Sequence, residues 1–199
     1  GYLYAATHVD FGVFSVTLPE ESFEGALPLF GEVLSVPAFF DIELERGIVR
    51  EEILEDLDDE GRDVNADNLT RKLIYPGHPL GFTITGKQSQ IDTFNEEMLR
   101  QHHRTFYTRE NSVLVLAGAI DAVRVIDLCQ GAFERMPAGA RTDAVTPNHS
   151  QKKPRLKQLE NASSQTDLRV CFRACAEYSN DAPAIELLMR VLDDGMSTR

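Results

Sequence analysis

No apolar run in this 199-residue chain approaches the ~20 residues that a helix needs to span a bilayer, so no membrane partner is expected. Basic residues are also scarce. Twenty Lys and Arg stand against 32 Asp and Glu, a net charge of -12. That balance cannot furnish the basic stripe that binds phosphates, which argues against a nucleic-acid partner. The acidic surplus would steer basic peptides toward the protein, and it also serves plain solubility. There are three cysteines, Cys129, Cys171 and Cys175, an odd number with no C-x-x-C pair. A disulfide framework is therefore not expected, and a reducing, cytoplasmic compartment fits best. Cys171 and Cys175 fall in a strand-like run and read as small core residues. The basic-then-apolar start of a signal peptide is missing too. The chain opens at Gly1-Tyr2-Leu3-Tyr4 without an initiator Met, so the true N-terminus is expected upstream. G-x-S-x-G, Walker and G-x-G-x-x-G motifs are absent, so the nucleophile elbow and the common nucleotide loops are excluded. Short-period repeats and low-complexity tracts are absent as well.

What is present reads as alternating strands and helices. Residues 2–18 predict two strands around a turn, with β-branched and aromatic residues dominating 12–18. Pro19-Glu20-Glu21 opens a helix. Phe23, Ala26, Leu27, Phe30, Val33 and Leu34 continue it at helical spacing until Pro37. Further helices are predicted at 41–59, 64–74, 94–107, 121–134 and 181–193, the last with Asp181 as N-cap. Residues 77–92 read as loop. Three more strands are expected at 112–118, 155–160 and 167–176. Residues 141–154, inside a Pro-containing polar stretch from 137 to 154, are the linker candidate. At this length a folded chain is expected to bury roughly 70% of its unfolded surface. Asn161-Ala162-Ser163 has the form of a glycosylation triplet, a pattern that arises often by chance.

The helix at 41–59 is the most unusual segment. Acids crowd it, and only Arg46 and Arg50 oppose them. Helical spacing puts Ile48, Val49, Glu52 and Glu55 near one another, with Glu52 at the edge of the apolar stripe and Glu51 outward. A carboxylate turned inward needs a cation, hydrogen bonds or a metal. The alternative is a solvated acidic helix. His102 and His103 point about 100° apart on a helix and cannot chelate one ion together. His78 lies in a turn-rich stretch and His8 near the first strand turn. A structural role is the simpler reading of each.

Taken in order, these segments resemble the insulinase, pitrilysin and mitochondrial-processing-peptidase family of inverted-motif zinc peptidases. Glu45-Arg46-Gly47-Ile48-Val49-Arg50-Glu51-Glu52-Ile53 resembles the family's E-R-x-V-I-x-x-E-I helix. Leu3 to Thr7 is similar to its L-N-A-x-T segment, with Tyr4 in place of Asn. His78-Pro79-Leu80-Gly81 and Ile84-Thr85-Gly86 are similar to H-P-L-G and I-x-G. Phe106-Tyr107 with Asn111, Val113 to Gly118, and Leu192 to Arg199 resemble F-Y-x-x-x-N, a V-L-x-x-A-G strand and L-x-x-G-M-S-x-R. The resemblance implies an α+β fold, a mixed and mostly antiparallel sheet with helices on one face, in tandem domains. Residues 1–140 would be the later part of a first peptidase-like domain and 155–199 the start of a second. The second-domain strands would pair with the first sheet, in cis or by swapping between chains.

The resemblance also implies a zinc-dependent endopeptidase acting on peptides or extended polypeptides, with Glu52 as the third zinc ligand and Glu55 as a supporting acid. The other two ligands and the general-base Glu belong to H-x-x-E-H, about seventy-five residues earlier in the family and so before Gly1. That motif does not occur in these 199 residues. The chain alone is therefore expected to be inactive and not to bind zinc tightly. The implied partners are a peptide and a second peptidase-like unit or homodimer mate. Some relatives are instead non-catalytic peptide-binding or scaffold subunits.

Overall fold

The computed structural model describes residues 1–160 and 164–192. It divides into two compact units, Gly1–Ala162 and Ser163–Arg199.

The first unit opens with β1 (Tyr2–Thr7) and β2 (Gly12–Thr17), an antiparallel hairpin registered from Tyr2 opposite Thr17 to Thr7 opposite Gly12. His8 N–H donates to Phe11 O at 2.8 Å across its turn, and the two rings stack at 4.4 Å. A 3-10 turn leads into α1 (Phe23–Ser35), which carries Pro28 inside it. Next come α2 (Ile42–Glu55) and α3 (Ala66–Ile74). The short α4 (Gln88–Ile91), α5 (Glu96–Phe106) and α6 (Ala122–Ala132) complete the unit. The second unit contributes α7 (Ala182–Leu192). Apart from the short α4, which lies in the stretch 77–92 read as loop, these helices fall close to where apolar spacing places them. Asn65, Asn95 and Asp121 each accept backbone N–H groups of the first turn that follows, which satisfies donors that no helical carbonyl can reach.

The helices of the first unit meet closely. Gly31 of α1 lies so near Ala132 at the end of α6 that an added Cβ would sit 2.1 Å from the Ala132 carbonyl oxygen. Phe30 meets Phe133 edge-on at 6.3 Å. Between α1 and α2 the chain turns through Phe39, at φ 51°, and Asp41, at φ 56°. A left-handed backbone is costly for such side chains. Phe39 recovers contacts with the His103 ring at 5.9 Å and the Arg100 guanidinium at 5.3 Å.

The fold is α+β, but among the described residues the sheet consists of β1 and β2. The strand expected at 112–118 does not form: residues 112–117 carry no regular secondary structure, and among the described residues no sheet includes them. The strands expected at 155–160 and 167–176 are likewise unpaired. A strand is completed by its neighbour's backbone, and these segments have none here. Leu168, Val170 and Phe172 are therefore exposed, and so are Cys171 and Cys175, which the sequence assigns to a core. The buried apolar core is small: Leu27, Ile53, Ile91, Val125 and Met136. The chain leaves 16111 Å² accessible. Among the described residues no helix is long and apolar enough to cross a membrane.

The polar stretch after α6 is no free tether. Arg109 donates from Nε to Met136 O at 2.7 Å and from its guanidinium to Glu134 O at 2.8 Å, while its backbone N–H reaches Pro137 O at 3.0 Å. Gly139 N–H donates to Glu110 Oε2 at 2.6 Å, and Thr142 N–H to Asn111 Oδ1 at 3.0 Å. Further on, the His78 ring bonds Val145 O at 3.0 Å and Arg155 bonds Leu73 O at 2.8 Å. Asn111 also donates to Phe106 O at 2.9 Å, which closes the F-Y-x-x-x-N segment on itself.

Candidate metal-ligating helix

Helix α2 is held from below, along its length and at its C-terminal end. Ile53 is buried on its inner face at 5% exposure. The two arginines that oppose its acids reach off the helix to the chain after α4. Arg46, its side chain 14% exposed, donates to Phe94 O at 2.7 Å and pairs with Glu43 at 2.5 Å. Arg50 pairs with Asp92. Past the C-terminal end, Asp56 accepts from Asn65 Nδ2 at 2.7 Å and from Asn68 Nδ2 at 2.9 Å. Asn65 uses its oxygen to cap α3, so one carboxylate and one cap join two helices. Asn68 is 4% exposed and passes the chain of bonds on to Arg71 at 2.5 Å. Lys72 closes the same corner on Asp63 at 2.5 Å. In the connecting loop Asp58 takes the Arg62 and Glu60 backbone N–H groups and the Arg62 guanidinium. Chiefly the Arg62 backbone bond, helped by that side chain and charge, holds its carboxyl below the ordinary Asp value.

On this mount the acids face outward. Glu52 and Glu55 are both exposed, one helical turn apart. Ile48, expected beside them in an apolar stripe, is 46% exposed, and the buried position is Ile53. Glu52 therefore has no inward-facing demand for a counter-charge. Two carboxylates on one turn are too few for catalytic zinc, which needs three protein ligands and an open position. Among the described residues no group of three His, Cys, Asp or Glu side chains converges on them or elsewhere. The donors of this chain alone do not fit a zinc site.

The histidines are engaged in packing. His103 is buried at 9%, hydrogen-bonds Leu34 O through Nε2 at 2.8 Å and stacks on Tyr107 at 4.8 Å. His102 lies against Phe106 at 4.6 Å. His78 accepts the Leu80 N–H at Nδ1, at 3.2 Å, which leaves Nε2 as the donor to Val145 O. Gly81, which ends the 3-10 turn Pro79–Gly81, packs so closely that an added Cβ would meet Tyr75 O at 2.3 Å. The H-P-L-G segment is thus a tightly closed turn. Sequence reasoning did not find the Asp56-Asn65-Asn68 corner or the Arg109 clasp. The only sequence signal was Asn65 ahead of Ala66-Asp67, a helix start, and nothing in the residues named its distant partner.

The arrangement defines an α+β domain whose acidic helix is tied to its neighbours by hydrogen bonds and ion pairs. The comparisons make this specific: residues 93–199 match the family described as the Peptidase M16 inactive domain, and the chain belongs to the peptidase M16 family. An uncharacterized zinc protease of Bacillus subtilis, YmxG, is 27% identical over 204 residues, covering 100% of this chain and 48% of its own length. An uncharacterized zinc protease of Mycobacterium bovis is 28% identical, over 80% of this chain and 36% of its own. The mitochondrial-processing peptidase β subunit of Lentinula edodes is 30% identical over 57% of this chain and 24% of its own. This chain thus spans about half or less of the length of the relatives it matches. A solved protease from Helicobacter pylori shares the fold, with a TM-score of 0.60 at 20% identity over 74% of this chain and 36% of that one. The segment from Leu192 onward and the Asn161 triplet lie at or beyond the edge of the described residues, 193–199 and 161–163 being outside them.

Proposed function

We propose that this chain is part of a zinc-dependent endopeptidase acting on extended peptides, and that it contributes Glu52 as one metal ligand to a site completed by a segment outside these 199 residues. The observation that carries the reading is Glu52 itself. By resemblance it matches the family's zinc-ligand glutamate, and it lies exposed on a helix tied at its C-terminal end, available to a ligand set brought from elsewhere. The zinc-protease names of the relatives support the same chemistry. Bound zinc would lower the pKa of a water that attacks the peptide carbonyl. The role of this chain is to hold one carboxylate in place for it. Glu55, one turn on, would be a supporting acid. Residues 1–140 would then be the later part of one peptidase-like domain and 155–199 the opening of a second, with 141–154 between.

The test is a zinc titration in two settings. The chain alone should show no stoichiometric tight zinc. A version extended upstream by its own genomic segment should bind zinc and cleave an extended peptide. In that version Glu52→Gln should cost more than the ~10–100-fold in metal affinity that loss of an outer hydrogen-bond partner costs. Tight stoichiometric zinc on the chain alone, or an unaffected Glu52→Gln, would refute the proposal.

A second reading is a non-catalytic peptide-binding or scaffold subunit. The match to a domain described as inactive favours it. A degenerate H-x-x-E-H in the upstream segment would select this reading, and an intact one the enzyme.

A further inference from the structure

Helix α3 is nine residues long, and an isolated helix shorter than ~12–15 residues is marginal in water. What holds its two ends therefore decides how ordered it is. Its N-terminal end is joined to the last turn of α2 by the Asp56-Asn65-Asn68 corner, and the Val64 N–H adds a bond to Asp56 O at 2.8 Å. Its C-terminal end is held by the polar stretch that follows α6. Arg155 donates to Leu73 O at 2.8 Å, which sets a cation on one of the carbonyls that a helix end leaves unpaired. The His149 ring lies 6.2 Å from the Tyr75 ring. Val145 O accepts from His78, in the turn that packs back on Tyr75. Arg155 and His149 are exposed, so these contacts open by local fluctuation far short of global unfolding.

We propose that this stretch, acting as a strap, controls the order of the last turn of α2 through α3. Docked on residues 73–78, it fixes the C-terminal end of α3. The short helix carries that constraint to Asn65 and Asn68, which hold Asp56, the residue after Glu55. Undocked, α3 frays from its C-terminal end, Asn68 loses its backing, and Glu52 and Glu55 stand on a loosened turn. Asn68 is the joint. It is 4% exposed, donates from Nδ2 to Asp56 Oδ2 at 2.9 Å, and accepts the Arg71 guanidinium at 2.5 Å. Arg71 O in turn accepts the Tyr75 N–H at 2.8 Å. One line of bonds thus runs from the α2 end to the ring that His149 covers. The earlier turns of α2 are held independently, by Arg46 on Phe94 O and Arg50 on Asp92, so the effect falls on the last turn. The device does not depend on what Glu52 binds.

Amide hydrogen exchange on the 199-residue chain tests it. The double variant Arg155→Ala, His149→Ala removes two exposed side chains of the strap and leaves the core intact. Amides at 70–75 and at 53–57 should then exchange about two- to tenfold faster, the effect of losing a hydrogen bond of ordinary net worth. Helix α5 and the earlier turns of α2 should keep their rates. Asn68→Ala cuts the joint. In that background the double variant should still speed 70–75 but add nothing at 53–57. Asp56→Asn, with a side chain of the same size, weakens the same joint and should shrink the response at 53–57 even where Asn68→Ala does not fold. Acceleration confined to 70–75 would overturn the proposal. So would equal acceleration across α1 and α5, or a response at 53–57 that survives the cut at Asn68.

Discussion

The contact of α1 with α6 makes a quantitative prediction through Gly31. A methyl group there would sit 2.1 Å from the Ala132 carbonyl oxygen, 2.8 Å from its carbonyl carbon and 3.3 Å from its Cβ. Normal carbon–oxygen contact requires over 1 Å more, and two of the three obstacles are backbone, so α6 as a whole must move. Overpacking of this kind costs about 1–3 kcal/mol. Alanine returns about 0.5–1 kcal/mol because glycine is a poor helix residue. Gly31→Ala should therefore destabilise by about 1–2 kcal/mol, which in a domain of 150–250 residues lowers Tm by about 2–8 °C. Gly47 in α2 is the control, since a methyl there meets nothing within 4 Å. Gly47→Ala keeps only the propensity gain and should stabilise by about 0.5–1 kcal/mol. Thermal and urea unfolding followed at 222 nm measure both. The reasoning fails if Gly31→Ala is as stable as wild type, or if the two variants shift in the same direction.

Other expectations follow from the polar ties. Asp56→Ala leaves the buried Asn68 amide without its acceptor and should cost about 1–3 kcal/mol, with faster amide exchange at the end of α2 and the start of α3. Arg109→Ala frees the Glu134 and Met136 carbonyls and should expose 134–142 to limited proteolysis, with stability falling by about 1–2 kcal/mol. The Gly139 N–H bond, with the Arg109 charge beside it, holds the Glu110 carboxyl below the ordinary Glu range. Because the folded value is depressed, this tie is fully present above the unfolded value of about 4.3 and is lost as pH falls through the folded value. A pH titration of the Gly139 amide by NMR should show a midpoint below that of a free Glu, and Glu110→Gln should abolish the transition.

The local order of the chain was written in the sequence. Helix bounds came within a few residues because apolar spacing, capping side chains and prolines act over a turn or two; the caps themselves, Asn65, Asn95 and Asp121, were found in the structure. The hairpin was legible because its two strands are neighbours in the chain. So was the family, through motifs short enough to survive as residue strings. Glu52 could be named from the sequence, but its exposure could not. Exposure depends on where Arg46 and Arg50 find Phe94 and Asp92, more than forty residues away. The Asp56-Asn65-Asn68 corner and the Arg109 clasp were invisible for the same reason. A hydrogen bond between distant residues leaves no periodicity behind. The strands expected at 112–118, 155–160 and 167–176 do not form among the described residues, because a strand becomes sheet only when another backbone pairs with it. Sequence alone determined which segments are helical and which want to be extended. The tertiary structure decided which edges are satisfied and which stand open, because that depends on what packs where.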